Sequence, residues 1–278
     1  MTAHPLRLVA RQERTLAVRS RWTQIFAIVF ALLALAVAAS GYVLSGGHGV
    51  QDFARTAASL VQLVLLLVPL TALLIGVLSL APDRGAAELL FSQPVARRTI
   101  LLGKLLGLFE ALVAAQALGF GAAGVVVFWQ SGNEGLAAFL MLFVSSAVLT
   151  AIFLSLAAWL AATAIGRRRT RALALALVVW FVAVVLFDVA ALGVASLLPS
   201  GPASRVLIVA VLVDPVDAVR TAALLGIEGA AAFGAASLAF LRFTKGPWGA
   251  ATLIGLSLTL WIVGPTLAAM RRLQRTDV

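Results

Sequence analysis

The chain has 278 residues, of which 62% are hydrophobic and only 12% charged, where a soluble domain keeps about a quarter of its residues charged. Its net charge of +10 would suit a nucleic-acid binder, but the cations border long apolar runs, which points to a lipid bilayer and away from nucleic acid. The absence of cysteine excludes disulfides, thiolate metal sites and thiol nucleophiles.

Residues 1–21 predict an interfacial amphipathic helix. Arg7, Arg11 and Arg14 share one face, Leu6, Val9, Leu16 and Ala17 point elsewhere, and Glu13 interrupts the apolar side. Such a helix lies in the headgroup layer with its cations toward anionic lipid. It is not a secretory signal, because arginines continue to Arg21 and the apolar run that follows is too long.

A helix needs about 20 apolar residues to cross the hydrocarbon. Trp22–Leu44 and Ala57–Leu80 meet that length as the first two spans. The connection 81–99 follows. Asp83 can cap a short helix there and Pro94 can end it, since the residue before proline resists the helical region. The helix would display Glu88, Leu89, Leu90 and Phe91 at the cytoplasmic surface. These residues either serve as a handle for a partner protein or sink into the headgroups.

The third span, Leu101–Phe128, carries small residues at four-residue spacing: Gly103, Gly107, Ala111, Ala115, Gly119 and Ala123. They allow another backbone to approach closely, in this chain or in a second one. The same span holds Glu110, and Gln116 offers interhelical hydrogen bonding, as does Gln62 in span two. Leu136–Thr163 is the fourth span, and the tight basic turn Gly166–Arg171 leads into the fifth, Ala172–Leu198. Asp188 lies within that fifth span. A carboxylate in mid-span costs about 2.5–3.5 kcal/mol, so Glu110 and Asp188 must find partners or serve in coupling.

Residues 199–247 carry apolar pieces too short to span, and predict re-entrant or interfacial helices. Asp214-Pro215-Val216-Asp217 has the pattern of a helix start, with an acid cap and proline at the first helical position. Arg220 follows Asp217 by three residues, so the two can pair on one face. Trp248–Met270 is the sixth span.

Orientation follows from the cations. With the N-terminus in the cytoplasm, 16 of the 21 Lys and Arg fall inside, and only Arg55, Arg205, Arg220, Arg242 and Lys245 outside. Six spans return the C-terminus to the cytoplasm. The fold class is therefore all-α: one polytopic transmembrane domain of six helices. The sequence contains no phosphate-binding G-x-x-x-x-G-K-[ST], no H-E-x-x-H and no G-x-S-x-G, so neither ATP hydrolysis by that route nor a common hydrolase site is encoded. Its histidines are His4 and His48 and its methionines Met1, Met141 and Met270, too few soft ligands for a copper path, and no metal site is expected.

The stretch from Gly85 through Gln93-Pro94-Val95-Ala96-Arg97-Arg98 to Leu101-Leu102-Gly103-Lys104 resembles the region after the second span of type-2 ABC transporter permeases. The chain also resembles, from end to end, the NosY-type branch that serves nitrous oxide reductase maturation. Leu118-Gly119-Phe120-Gly121-Ala122-Ala123, Ser145-Ser146, Trp180-Phe181 with Phe187-Asp188, Asp214 to Arg220, and Met270-Arg271-Arg272 carry that likeness. Two places depart from it: the acidic start of the loop is reduced to Pro82-Asp83-Arg84, and Asp214 stands where asparagine is usual.

The resemblance implies a type-2 permease fold in the bacterial inner membrane and a homodimer. It also implies a separate ATPase that binds ATP and docks on the inner loops, and a periplasmic copper-handling partner. This chain would hold no cofactor and would transmit motion. The alternative from another class is an export permease for a lipid, drug or polysaccharide.

Overall fold

The computed structural model describes residues 3–45, 49–81, 95–131, 136–163, 169–228 and 240–275. In hydrocarbon every backbone N–H and C=O must be satisfied within the chain, and among the described residues this is done by helices alone. The order is α1 (Ala3–Arg19), α2 (Arg21–Ser45), α3 (Gly49–Leu80), α4 (Arg97–Ser131), α5 (Leu136–Thr163) and α6 (Arg169–Phe181). A π turn at Val182–Leu186 joins α6 to α7 (Phe187–Ser196), and α8 (Ser200–Val213), α9 (Pro215–Glu228) and α10 (Pro247–Arg275) follow among the described residues. Among the described residues, six stretches are long and apolar enough to span a membrane, one each in α2, α3, α4, α5, the α6–α7 rod and α10. Two helices begin earlier than the apolar runs alone suggested: α3 at Gly49, and α4 at Arg97, inside the connection 81–99.

Helix α5 is the centre of the bundle. It is apolar on all sides, the pattern of a helix surrounded by others, and it packs against α3, α4, α9 and α10. Leu142, Leu149, Ile152, Phe153 and Leu154 are fully buried on it. Helix α2 lies at the periphery. Phe26, Phe30, Ala34 and Ala38 recur every four residues as its buried stripe, while Ile25, Ile28, Leu32 and Leu33 face outward. Phe30, Phe120, Phe139 and Phe143 make ring contacts that knit α2, α4 and α5 together.

Two prolines lie inside spans, and each leaves a carbonyl one turn back without its usual donor. Pro265 in α10 frees the carbonyl of Trp261, and Ser155 Oγ of α5, whose single hydrogen is shared with the Ile152 carbonyl at 2.7 Å, reaches that oxygen at 2.8 Å. Near Pro69 in α3, Trp180 Nε1 of α6 donates to Leu66 O at 3.1 Å. At Pro265 the freed carbonyl is itself the cross-link, whereas at Pro69 the cross-link is made at the carbonyl next to the freed one of Leu65.

The small-residue stripe of α4 is used within the chain. A Cβ on Gly103 would sit 2.7 Å from Val9 Cβ of α1, and one on Gly119 would sit 2.5 Å from Phe30 Cδ1 of α2. A Cβ on Gly107 would run into the Ala10 carbonyl oxygen and the Arg14 N of α1. Ala111, Ala115 and Ala123 are buried along the same line.

Candidate functional site

The charged and polar side chains gather into three groups along the bundle. The first is at the end that carries α1. Glu13 sits on the buried stripe of α1 with Ala10 and Ala17, and is only 6% exposed. It does not merely interrupt the apolar side. Its Oε1 accepts from Ser79 Oγ in the last turn of α3, and its Oε2 lies 3.4 Å from Lys104 Nζ of α4. Lys104 Nζ also donates to the Ser79 carbonyl at 3.2 Å, which closes a triangle over three helices. The next residue of α1, Arg14, pairs through Nη1 with Glu110 Oε2 at 3.1 Å. That pair is exposed on both sides and contributes little. Arg97 Nη1 donates to Leu273 O at 2.8 Å, holding the C-terminal turn of α10 against the start of α4. Asp83, Glu88, Leu89, Leu90 and Phe91 lie outside the described residues.

The second group is in mid-bundle. Gln116 Nε2 donates to Thr150 Oγ1 at 2.7 Å, and Ser146 Oγ donates to Gln116 Oε1 at 2.7 Å. The buried Gln116 amide is therefore satisfied at both ends by α5, as hydrocarbon surroundings require. Gln62, by contrast, faces outward on α3.

The third group forms where α8 meets α9. The break between these helices exposes chain-end groups, and several of them find side-chain partners. Ser257 Oγ donates to Leu212 O at 2.6 Å, and Trp261 Nε1 donates to Val213 O at 3.0 Å, so α10 caps the end of α8. Asp214 Oδ2 accepts the Asp217 N–H at 2.9 Å and caps the start of α9, with Pro215 buried at its first position. Arg220 Nη1 then bridges two carboxylates, Asp217 Oδ1 at 2.7 Å and Asp188 Oδ2 at 2.9 Å. The π turn just before Phe187 adds one residue to its helical turn, which rotates the stretch carrying Asp188 relative to α6.

Asp188, Asp214 and Asp217 present carboxylate oxygens within 4.8 Å of one another. Burial pushes the Asp214 carboxyl up to about 7, and the neighbouring Asp217 and Asp188 add to the rise. Burial also lifts Asp217, to about 6, against the pull of Arg220. These are hard oxygen donors already engaged by a guanidinium and a backbone N–H. They are a poor match for a soft copper ion. Met141 is half-buried and packs against Gly226 of α9, away from this cluster.

Sequence alone marked Glu110, Asp188, Asp214, Pro215, Asp217 and Arg220, and the structure joins all but Glu110 and Pro215 in one hydrogen-bonded cluster. It did not mark Glu13, Ser79 or Lys104 as a unit, nor Ser155 as the partner of Trp261. The only signals were a carboxylate on an apolar helix face and a proline four residues after Trp261.

Residues 7–278 match the family described as ABC-2 family transporter protein. The chain is 34% identical over 237 residues to "Probable ABC transporter permease protein NosY" of Pseudomonas aeruginosa, covering 83% of this chain and 86% of that relative. A relative of the same description from Stutzerimonas stutzeri is 32% identical over 245 residues, covering 83% of this chain and 85% of its own length.

Proposed function

The chain belongs to the ABC-2 family of transporter permeases, and from that premise we propose that it couples ATP hydrolysis on a separate subunit to periplasmic copper-site maturation of nitrous oxide reductase. The likeness to two NosY-described relatives over most of both chains supports this branch. Both termini and the connection 81–99 would face the cytoplasm of a bacterial inner membrane, because that orientation puts 16 of 21 cations inside. A second copy would complete the permease, the ATPase would dock on 81–99, and a copper-handling protein would bind from the periplasm.

The observation that carries a mechanical role over a conducting one is how the bundle uses its polar groups. Gln116 is spent on Ser146 and Thr150, Ser155 on Trp261, and Asp188 and Asp217 on Arg220. Copper transfer across a membrane needs soft ligands at successive depths. Histidine and cysteine are absent from the spans, and Met141 is the one methionine within the apolar run of a span away from its ends. The permease would therefore pass on motion. Equilibrating the purified chain with Cu(I) tests this: copper at background supports the reading. Stoichiometric copper that is lost in Met141→Leu would establish a conducting path.

A further inference from the structure

Residues 82–94 form the proposed ATPase handle, and the structure describes the chain on both sides of it. Ser79 is three residues before it, in the last turn of α3, and Lys104 is ten residues after it, in the third turn of α4. One side chain touches both. The two carboxylate oxygens of Glu13 reach Ser79 Oγ and Lys104 Nζ separately, and Lys104 returns to the Ser79 carbonyl.

A carboxylate at 6% exposure on the apolar stripe of an amphipathic helix is costly unless it is paired. Burying hydrophobic surface alone would have been served better by leucine or alanine at this position. What glutamate adds is a bidentate tie between two helices that no apolar residue can make. The tie has little slack, because Gly103 and Gly107 flank Lys104 and bring the α1 backbone directly onto α4. Arg97 extends the same junction to the end of α10 through Leu273 O.

We propose that Glu13 is a positioning residue that binds α1 to both flanks of the ATPase-docking loop, so that displacement of the loop is delivered to α1 and along the Gly103–Gly107 seam into α4. This rests on the reading of 82–94 as the docking segment. Glu13 touches neither ATP nor any transported group. It acts by making the two ends of the loop and the N-terminal helix move as one piece.

The test uses the full permease with its co-expressed ABC ATPase, reconstituted in proteoliposomes. Glu13→Gln keeps an acceptor for Ser79 but removes the charge facing Lys104. The expected result is unchanged permease level and unchanged ATPase co-purification. The kcat of permease-stimulated ATP hydrolysis falls by about fivefold or more, the low end of coupling between distant sites, with KM for ATP unchanged. The swapped pair Glu13→Lys with Lys104→Glu should recover part of the stimulation, because it restores the ion pair but not the donation to the Ser79 carbonyl. Full stimulation in Glu13→Gln overturns the proposal. So does a loss that tracks permease level, with turnover per assembled complex intact, because Glu13 would then serve stability alone. If the wild-type chain neither retains nor stimulates the ATPase, the docking reading itself fails and takes this proposal with it.

Discussion

Arg220 lies 2.9 Å from Asp188, 32 residues away in sequence, and so fastens the α6–α7 span to α9. The same guanidinium holds Asp217, so a single cation stands among three carboxylates that lie within 4.8 Å of one another. Removing either partner is not equivalent. Arg220→Met leaves Asp188 and Asp217 without their cation, whereas Asp188→Asn leaves Arg220 paired with Asp217. Breaking a fully buried pair costs about 3–5 kcal/mol, and the partial exposure here lowers that to about 2 kcal/mol for Arg220→Met. Thermal melting in detergent should show a clearly lower midpoint for Arg220→Met than for Asp188→Asn. Equal midpoints would mean the cluster is not held by its cation.

The same cluster makes stability depend on pH. Asp214 and Asp217 stand at about 7 and about 6 in the fold, above the ordinary carboxyl value, so the fold favours their protonated forms. That contribution is complete below about pH 4 and is lost as pH rises through about 6 to 7. The melting midpoint should therefore decline between about pH 5 and about pH 8. Asp214→Asn keeps the helix cap but removes the group that rises most, and its curve should be flatter. An unchanged slope in that variant would assign the pH dependence elsewhere.

Ser155 stands in for the donor that Pro265 cannot supply. Ser155→Ala leaves the half-buried Trp261 carbonyl without that bond, at a cost of about 1 kcal/mol. Combining Ser155→Ala with Pro265→Ala, which restores an N–H to the helix, should recover most of the lost melting temperature. Additive losses in the double variant would show that the two residues act independently.

Glycine positions on α4 offer a graded test of the α1 seam. Gly107→Ala would put a methyl group against the Ala10 carbonyl and the Arg14 backbone, which cannot move aside as a side chain can. Gly121→Ala meets nothing within 4 Å. Alanine favours a helix over glycine by about 1 kcal/mol, so Gly121→Ala should be neutral or slightly stabilising. Gly107→Ala should loosen α1 and speed trypsin cleavage at its already exposed arginines, because a protease needs the backbone to leave the helix. Equal protease resistance in the two variants would contradict the packing of α1 on α4.

Much of the fold was legible because a bilayer imposes length. Unbroken apolar runs mark each span, and the Asp-Pro-x-Asp spacing is the one in which Asp214 receives the Asp217 N–H. Pairing between distant segments was not legible. Glu13 reads as an interruption on α1, since nothing local shows that Ser79, 66 residues on, faces it. The small-residue stripe likewise promised a close neighbour without naming one, and the neighbours are α1 and α2. The start of α4 lies four residues before the apolar run because Arg97 and Arg98 sit on the helix itself, and hydropathy stops before the backbone hydrogen bonding does.

The most direct measurement is the copper content of nitrous oxide reductase purified from cells that lack this chain. The account predicts reductase polypeptide at its normal level with its copper sites unfilled, restored by the wild-type chain. Restoration should fail with Leu89→Asp combined with Phe91→Asp, which would put charge into a desolvated docking contact. Fully copper-loaded reductase in the absence of the chain would contradict the maturation role and leave an export permease as the reading to pursue.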